Sequence, residues 1–421
     1  MNFQQILSIV IFLLVIIAIM SERVHRAVAA ITGGIILLLC HLLTVETAVS
    51  YIDFNTIGVL IGMMLFVAVV KNSGIFEYIA IKAAKVAKGN PWKIMLMFFI
   101  ITAVLSGFLD NVTTVLLIGP MTLAITRILK INPVPYMIVE IMASNIGGTA
   151  TLIGDPPNIM IGSAAHLSFI SFLDNTGFAV LLIMIATLIC FYFIYGRKMT
   201  VDSEAMKSVM ELDEQKAIKD RPLMHKSIVM ILLIAVAFVI HDSLGIESCT
   251  IALTGAAIML LIGKQDAEEI ILGVEWSTIL FFTGLFVVVG GLVETGVIKM
   301  LGNALLGATD GHPIVTMLII LWLSALFSAI LDNIPFVATL IPLILTMQSG
   351  GMDVEPLWWA LSLGACLGGN GTLIGASANV VLSGISGKEG HPISFMHYLK
   401  IAFPLMILSI VISTAFLVVK Y

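Results

Sequence analysis

Two acidic–amide pairs interrupt otherwise apolar sequence, 222 residues apart: Asp110-Asn111 and Asp332-Asn333. A charged aspartate at the centre of a bilayer costs about 2.5–3.5 kcal/mol on insertion scales, so such a side chain is protonated, cation-bound or facing water. We therefore expect both aspartates to act directly in ion or proton coupling. Each could equally cap the helix that follows it, and the two roles are compatible.

A second polar motif is duplicated with nearly the same offset. Thr151-Leu-Ile-Gly154 with Asn158 recurs 221 residues later as Thr372-Leu-Ile-Gly375 with Asn379. Matched interruptions of apolar segments in two halves of a chain are the best sequence indication of a transporter site. The duplication therefore predicts one binding site shared between two half-proteins.

The two copies differ at three aligned positions. Asp155 aligns with Ala376, Asn145 with Cys366, and Thr149 with Asn370. The difference predicts unequal ion sites in the two halves.

Composition places the chain in a membrane. Of its 421 residues, 59% are hydrophobic and only 11% are charged, whereas a soluble domain is about 25% charged. We predict an all-α polytopic membrane protein. The sequence contains no basic stripe for nucleic acid, no ATP-binding glycine-rich loop, and no nucleophile–base pair or metal-ligand cluster. These absences disfavour an enzyme or a resident cofactor.

Apolar segments of two kinds can be distinguished. Simple spans are predicted at about 3–20, 27–43, 55–70, 176–196, 226–241, 247–263, 276–292 and 398–419. Segments 93–130 and 313–347 break at the Asp-Asn pairs and are predicted to be re-entrant hairpins. Segments 135–165 and 357–386 break at glycine or proline and are predicted to be broken helices. The total is about ten transmembrane helices plus two hairpins.

Charge placement orients the two repeats, 1–196 and 227–421. Five crossings per repeat is an odd number, so the second repeat is inverted relative to the first. With both termini outside, 19 of the 21 basic residues lie inside, as the positive-inside rule favours. Counting each hairpin as two full spans keeps the same parity, and only the Asp-Asn breaks favour re-entry. We predict a multi-pass protein of the cell membrane, with 197–226 as a solvated cytoplasmic linker.

Broken helices supply binding groups for both signs of charge. Their N-terminal ends suit anions, and their C-terminal ends and unwound carbonyls suit sodium. The candidate ion- and substrate-binding side chains are Asp110, Asn111, Thr113, Thr114, Asn145, Thr149, Thr151, Asp155, Asn158, Asp332, Asn333, Asn370, Thr372, Ser377 and Asn379. Glycines that let the backbone approach a ligand are Gly147, Gly148, Gly154, Gly368, Gly369, Gly371 and Gly375.

Sodium sites are predicted at the Asp110-Asn111 and Asp332-Asn333 tips. The alternative for the glycines is close helix packing. Glu140 and Glu275 lie near the ends of their predicted segments, where snorkelling or local pairing would explain them.

These motifs resemble a known family. Phe108-Leu-Asp110-Asn111, Gly154-Asp155-Pro-Pro-Asn158 and Gly368-Gly-Asn370-Gly-Thr372 are similar to the melanosomal P protein and its bacterial relatives. That group includes arsenite-pump membrane subunits and some sodium/proton antiporters. It belongs to the ion transporter superfamily, together with citrate and dicarboxylate/sodium symporters.

The resemblance implies an inverted-repeat elevator. A scaffold part, often dimeric, stays fixed while a transport part carrying both hairpins and both broken helices slides across the membrane. The symporters have a Ser-Asn-Thr motif at their hairpin tips, whereas this chain has Asp110-Asn111 and Asp332-Asn333. Two added carboxylates should repel a di- or tricarboxylate unless sodium or protons neutralise them. An arsenite-pump-like protein would also have an ATPase subunit as partner.

These observations favour a secondary transporter of a small inorganic or organic ion, driven by a sodium or proton gradient. Coupled anion transport is the first hypothesis. Sodium/proton antiport or arsenite efflux is the alternative, favoured by the carboxylates. An ion channel is disfavoured, because a continuous pore has no need of duplicated broken helices.

The predicted topology can be tested by cysteine labelling of intact cells. After the four native cysteines are replaced, a membrane-impermeant maleimide should label Lys299→Cys and leave Lys216→Cys unlabelled. Labelling of Lys216→Cys from outside would contradict the assignment of 197–226 to the cytoplasm.

Overall fold

A computed structural model describes residues 1–21, 23–309 and 311–421, and every regular element in these ranges is helical. The helices are α1 Phe3–Met20, α2 Arg26–Leu39, α3 Val45–Ser50, α4 Phe54–Lys71, α5 Ile75–Val86, α6 Pro91–Ser106, α7 Asn111–Ile128, α8 Val134–Gly148, α9 Pro156–Ala165, α10 Phe169–Phe172, α11 Phe178–Ile194, α12 Ser203–Met210, α13 Arg221–Ile240, α14 Ser248–Gly263, α15 Ala267–Leu272, α16 Trp276–Glu294, α17 Val297–Ala308, α18 Pro313–Ile330, α19 Asn333–Ser349, α20 Glu355–Gly368, α21 Ser377–Lys388 and α22 Phe395–Lys420.

The all-α polytopic class is confirmed. Within the described ranges, eight helical segments are long and apolar enough to cross a membrane, and further apolar helices are shorter. The two Asp-Asn pairs fall between α6 and α7 and between α18 and α19. The glycine- and proline-rich breaks fall between α8 and α9 and between α20 and α21.

One bundle, here called the scaffold, interleaves the two halves of the chain. In it α2 packs on α16 and α4 packs on α14. A Cβ on Gly284 would lie 2.6 Å from the backbone of Ala30, and one on Gly62 would lie 2.5 Å from the backbone of Ala252. These two contacts are related by the 222-residue offset. Glycine thus lets each pair of helices meet backbone to backbone.

A second bundle, here called the transport unit, contains both hairpins and both broken helices. In it α6 packs on α8 and α18 packs on α20. A Cβ on Gly147 would lie 2.0 Å from the carbonyl oxygen of Ala103, and one on Gly368 would lie 2.5 Å from that of Ala325. These glycines therefore serve close packing between a hairpin arm and a broken helix.

The span predicted at 176–196 begins earlier than its hydropathy suggested. A helical segment runs from Phe169 to Lys198 and includes a π-helical turn at Leu173–Gly177. The turn contains the polar residue Thr176. Its hydroxyl donates to the carbonyl of Phe172 at 2.8 Å and to that of Thr149 at 3.1 Å. The turn ties this helix to the first helix break.

The segment predicted to be a solvated linker, 197–226, makes specific contacts with the first half of the chain. The segment contains α12 and packs on α5 and on the turn before it: Lys219 donates its backbone N–H to the Ser73 carbonyl in that turn at 3.0 Å, and Lys85 of α5 lies 2.6 Å from Glu214. The Lys85 hydrogen bond lowers the pKa of Glu214 below its usual range. Charge composition indicated exposure, but it could not show that backbone groups of the segment have partners on α5.

Polar contacts between helix ends agree with the assignment of those ends to the two faces. Arg127 pairs with Glu389, and both lie on the face predicted to be cytoplasmic. The Tyr51 hydroxyl donates to Glu294 at 2.9 Å, and both lie on the opposite face. Which face is cytoplasmic stays a prediction.

A glycine substitution tests the interleaved scaffold. Gly284→Ala should lower the melting temperature of the purified protein, because its Cβ would meet the backbone of α2 and overpacking costs about 1–3 kcal/mol. Gly384→Ala is the control, since a Cβ there has no described atom within 4 Å. Equal melting temperatures for the two variants would contradict the close packing.

Candidate functional site

The first hairpin tip is built around the carboxylate of Asp110. Asp110 caps α7, accepting from the Thr113 backbone N–H at 2.9 Å and also from the Thr113 hydroxyl. Capping satisfies donors that a helix N-terminus leaves free. Asp110 is buried, and within the described residues these are the hydrogen bonds its side chain accepts.

Each tip is clamped to the helix break of its own repeat by a threonine. The Thr151 hydroxyl donates to the carbonyl of Gly107 at 2.5 Å, and the Thr372 hydroxyl donates to that of Ala329 at 2.5 Å. Within a bilayer, water is not at hand to satisfy a carbonyl freed at the end of a helix. The duplicated threonines supply the missing donor.

Two asparagines hold the unwound backbone at the breaks. The Asn158 side-chain amide donates to the carbonyls of Gly148, Thr149 and Thr151 at 2.9–3.3 Å. The Asn379 amide likewise donates to the carbonyls of Gly369 and Thr372 at 2.7–2.8 Å. Each asparagine thereby replaces helical hydrogen bonds that the break removes.

Amide side chains also connect the two repeats. Asn145 donates to the side-chain oxygens of Asn370 and Asn379, both at 2.9 Å, and accepts from Asn111 at 3.2 Å. Asn158, also in the first repeat, accepts from the Ser362 hydroxyl of the second repeat at 2.7 Å. The breaks and the first tip therefore form one buried polar network.

The second tip differs from the first in its partners. Asn333 donates to both oxygens of Asp155 at 3.3–3.4 Å. Asp332 accepts from the Ser377 hydroxyl at 2.8 Å and lies 3.4 Å from the Arg26 guanidinium. A basic residue of the scaffold thus neutralises the second tip.

These groups surround a small cavity of about 20 Å³. Four helix N-termini of the transport unit meet there, because the cavity is lined by residues at the starts of α7, α9, α19 and α21. Its polar lining residues are Arg26, Asp110, Asn111, Asp155, Glu275, Thr278, Asn333 and Ser377. A cavity of this size holds about one water molecule, and a bare ion is comparable. No group of three or more His, Cys, Asp or Glu placed to hold a metal was found among the described residues.

Comparisons with known proteins identify the family. Residues 16–364, which include both hairpins and the first broken helix, match the family model described as CitMHS, citrate transporter. The chain belongs to this citrate transporter family. It is a membrane transporter, and the resemblance inferred from the motifs is confirmed.

The relatives include bacterial and animal proteins. A Mycobacterium tuberculosis protein described as an uncharacterized transporter is 40% identical over 425 residues, covering 99% of each chain. The human P protein is 32% identical over 489 residues, covering 96% of this chain and 58% of the P protein. The crystal structure of the Alcanivorax borkumensis YdaH transporter, described as having an unusual topology, matches with a TM-score of 0.59 at 17% identity, covering 99% and 98% of the two chains. This last match shows a shared fold.

Some of the predicted site residues line the cavity, and others have structural contacts elsewhere. Asp110, Asn111, Asp155, Asn333 and Ser377 line the small cavity. The hydroxyls of Thr149, Thr151 and Thr372 instead donate to backbone carbonyls. Thr114 is buried and its hydroxyl has no partner among the described residues. The glycines Gly147, Gly148, Gly154, Gly368, Gly369, Gly371 and Gly375 all lie where a Cβ would meet atoms at 3.2 Å or less.

Sequence analysis missed three polar residues at the cavity. Arg26, Glu275 and Thr278 lie near helix ends, where interfacial polar residues are ordinary. Their separations from Asp332 of 306, 57 and 54 residues give no signal. Glu140 is 1% exposed and accepts from the Thr122 hydroxyl, so of the two expected explanations snorkelling does not apply. Local pairing does explain it, but inside the transport unit.

The threonine clamps generate a stability prediction. Thr151→Val should lower the melting temperature, because it leaves the buried carbonyl of Gly107 without its donor at a penalty of about 1–3 kcal/mol. Thr339→Val is the matched control, since its hydroxyl bonds only to the Pro335 carbonyl one turn earlier in its own helix. A similar shift for both variants would show that the clamp adds nothing specific.

Proposed function

We propose that this transporter couples the movement of a small anion to a sodium or proton gradient by an elevator mechanism. The observation that carries the proposal is the convergence of Asp110 and Asp155 with four helix N-termini of the transport unit at one buried cavity, beside which Asp332 caps α19. Carboxylates attract the coupling cation, and helix N-termini attract an anion. A site with both features binds its anion best after a cation has neutralised the carboxylates.

The boundary between the two bundles supports sliding. A cavity of about 290 Å³ separates the inner ends of α1 and α2 from the second tip. Another of about 350 Å³ separates α16 from α9 and α19 near Tyr51 and Asp53, at the opposite face. Space at both ends of this boundary would let the transport unit move along the scaffold.

The family description points to carboxylates as the substrate class. A citrate-like anion carries several negative charges, so it needs the tip aspartates to be neutralised on binding. Arg26 adds a fixed positive charge at the cavity wall. We therefore expect anion binding to depend strictly on the cation.

Sodium/proton antiport is the second candidate, and Glu275 favours it. This carboxylate accepts from the Thr278 hydroxyl at 3.1 Å and adds a fourth acidic group at the cavity or its border. Several carboxylates around one small space would exchange a proton for sodium without any anion.

Liposomes containing the purified protein distinguish these candidates. Labelled citrate should enter only when a sodium or proton gradient is imposed. Asp110→Asn and Asp332→Asn should each lower coupled uptake by about tenfold to hundredfold, because a hydrogen bond or contact to a charged group contributes about 1.5–3 kcal/mol. Glu268→Gln, on the exposed face of α15, is the control and should transport normally.

Two outcomes would overturn the proposal. Anion uptake that is unchanged in Asp110→Asn and Asp332→Asn would remove the coupling role of the tips. Sodium-driven proton movement in the absence of any anion would replace symport with antiport.

A further inference from the structure

Arg26 connects the scaffold to the second hairpin tip. One guanidinium nitrogen donates to the Thr278 hydroxyl of α16 at 3.0 Å, and the guanidinium carbon lies 5.3 Å from the ring centre of Phe281. The other nitrogen donates to the Ser377 hydroxyl at 2.5 Å and lies 3.4 Å from an Asp332 oxygen. One side chain thus bridges the two bundles.

Among the residues that the structure describes, the first tip has no equivalent bridge. Arg26 is the first residue of α2, and the residue at the same position of α14 is Ser248. Ser377 is likewise the first residue of α21, where α9 begins with Pro156. The two side-chain partners of Asp332, Arg26 and Ser377, therefore occur in one copy only, so the bridge is not a by-product of the duplicated fold.

The guanidinium occupies the place that a cation would take at this carboxylate. An arginine remains charged at any physiological pH, so it leaves an aspartate only when the contact is broken. The side chains of Arg26 and Asp332 are 27% and 14% exposed and line a cavity of about 290 Å³. A dissolved cation can therefore reach the pair.

We propose that Arg26 is a tethered cation that competes with sodium for Asp332. In the ion-free protein it holds the second tip against the scaffold. Sodium bound at Asp332 displaces the guanidinium and frees the transport unit to move. The inference rests on the proposed cation coupling and names the group that the cation replaces.

The proposal is tested by whether sodium affinity rises when Arg26 is replaced. In Arg26→Gln the competitor is gone, so sodium should bind more tightly. If the guanidinium occupies Asp332 about nine-tenths of the time, the apparent sodium affinity rises about tenfold. Isothermal titration calorimetry with sodium chloride measures this affinity, and titration with choline chloride is the blank. Arg26→Lys, which keeps the charge but not the planar fork, should give a smaller increase.

Arg23→Gln is the matched control for simple electrostatics. It removes an exposed positive charge from the loop just before α2, three residues from Arg26. If Arg23→Gln tightens sodium binding as much as Arg26→Gln, the effect is a general field and the tether is wrong. Unchanged or weaker sodium binding in Arg26→Gln also overturns the proposal.

A second measurement tests the bridge without sodium. In choline buffer, hydrogen–deuterium exchange of peptides covering 328–335 should be faster in Arg26→Gln than in wild type, by about tenfold on the same occupancy. Arg23→Gln should exchange at the wild-type rate. Unchanged exchange in Arg26→Gln would show that the guanidinium does not hold the tip.

The two measurements separate this inference from the proposed function. Equal sodium binding by wild type and Arg26→Gln, with coupled uptake intact in liposomes, overturns the tether and leaves the function in place. Sodium binding by neither protein overturns both the tether and sodium coupling.

Discussion

The central constraint on this protein is that helices broken inside a bilayer must still satisfy their backbone. Every unpaired N–H or C=O there costs several kcal/mol, because no water replaces the lost partner. Asn158 and Asn379 meet the freed carbonyls, and Thr151 and Thr372 tie each break to a tip. The remaining features of the site depend on these side chains. Only once they hold the unwound segments in place can helix N-termini be aimed at a common point.

The same constraint explains why the site could largely be located from the sequence. Polar residues that satisfy a break must lie beside it along the chain, and a duplicated break repeats them at a fixed offset. The Asp-Asn tips and both helix breaks were therefore predictable. Arg26 was not, because it reaches Asp332 only through the packing of α2 beside the second tip. The roles of Thr151 and Thr372 were also missed, because residue type alone does not distinguish a hydroxyl that binds an ion from one that holds a carbonyl.

Departures from the internal repeat give the two tips different electrostatic character. Within the described ranges Asp110 is paired through its own helix cap alone, and Asp155 adds a carboxylate that the other copy lacks. Asp332 also caps its own helix, accepting from the Ile334 backbone N–H, and has in addition a guanidinium and a hydroxyl donor. Negative charge is therefore concentrated toward the first repeat and offset toward the second. The duplicated fold supplies the geometry of the site. The few positions at which the two copies differ determine where negative charge has no positive partner.

The interleaved scaffold has a consequence for biogenesis. Helix α2 ends at Leu39, yet its partner α16 begins at Trp276, so α2 enters the membrane long before that partner exists. At about 5–20 residues per second, the ribosome needs on the order of 10–50 s to make the intervening chain. During that interval the glycine-containing faces of α2 and α4 are exposed to lipid or to the insertion machinery. Neither half can complete its fold alone, and the site forms only after nearly the whole chain has been synthesised.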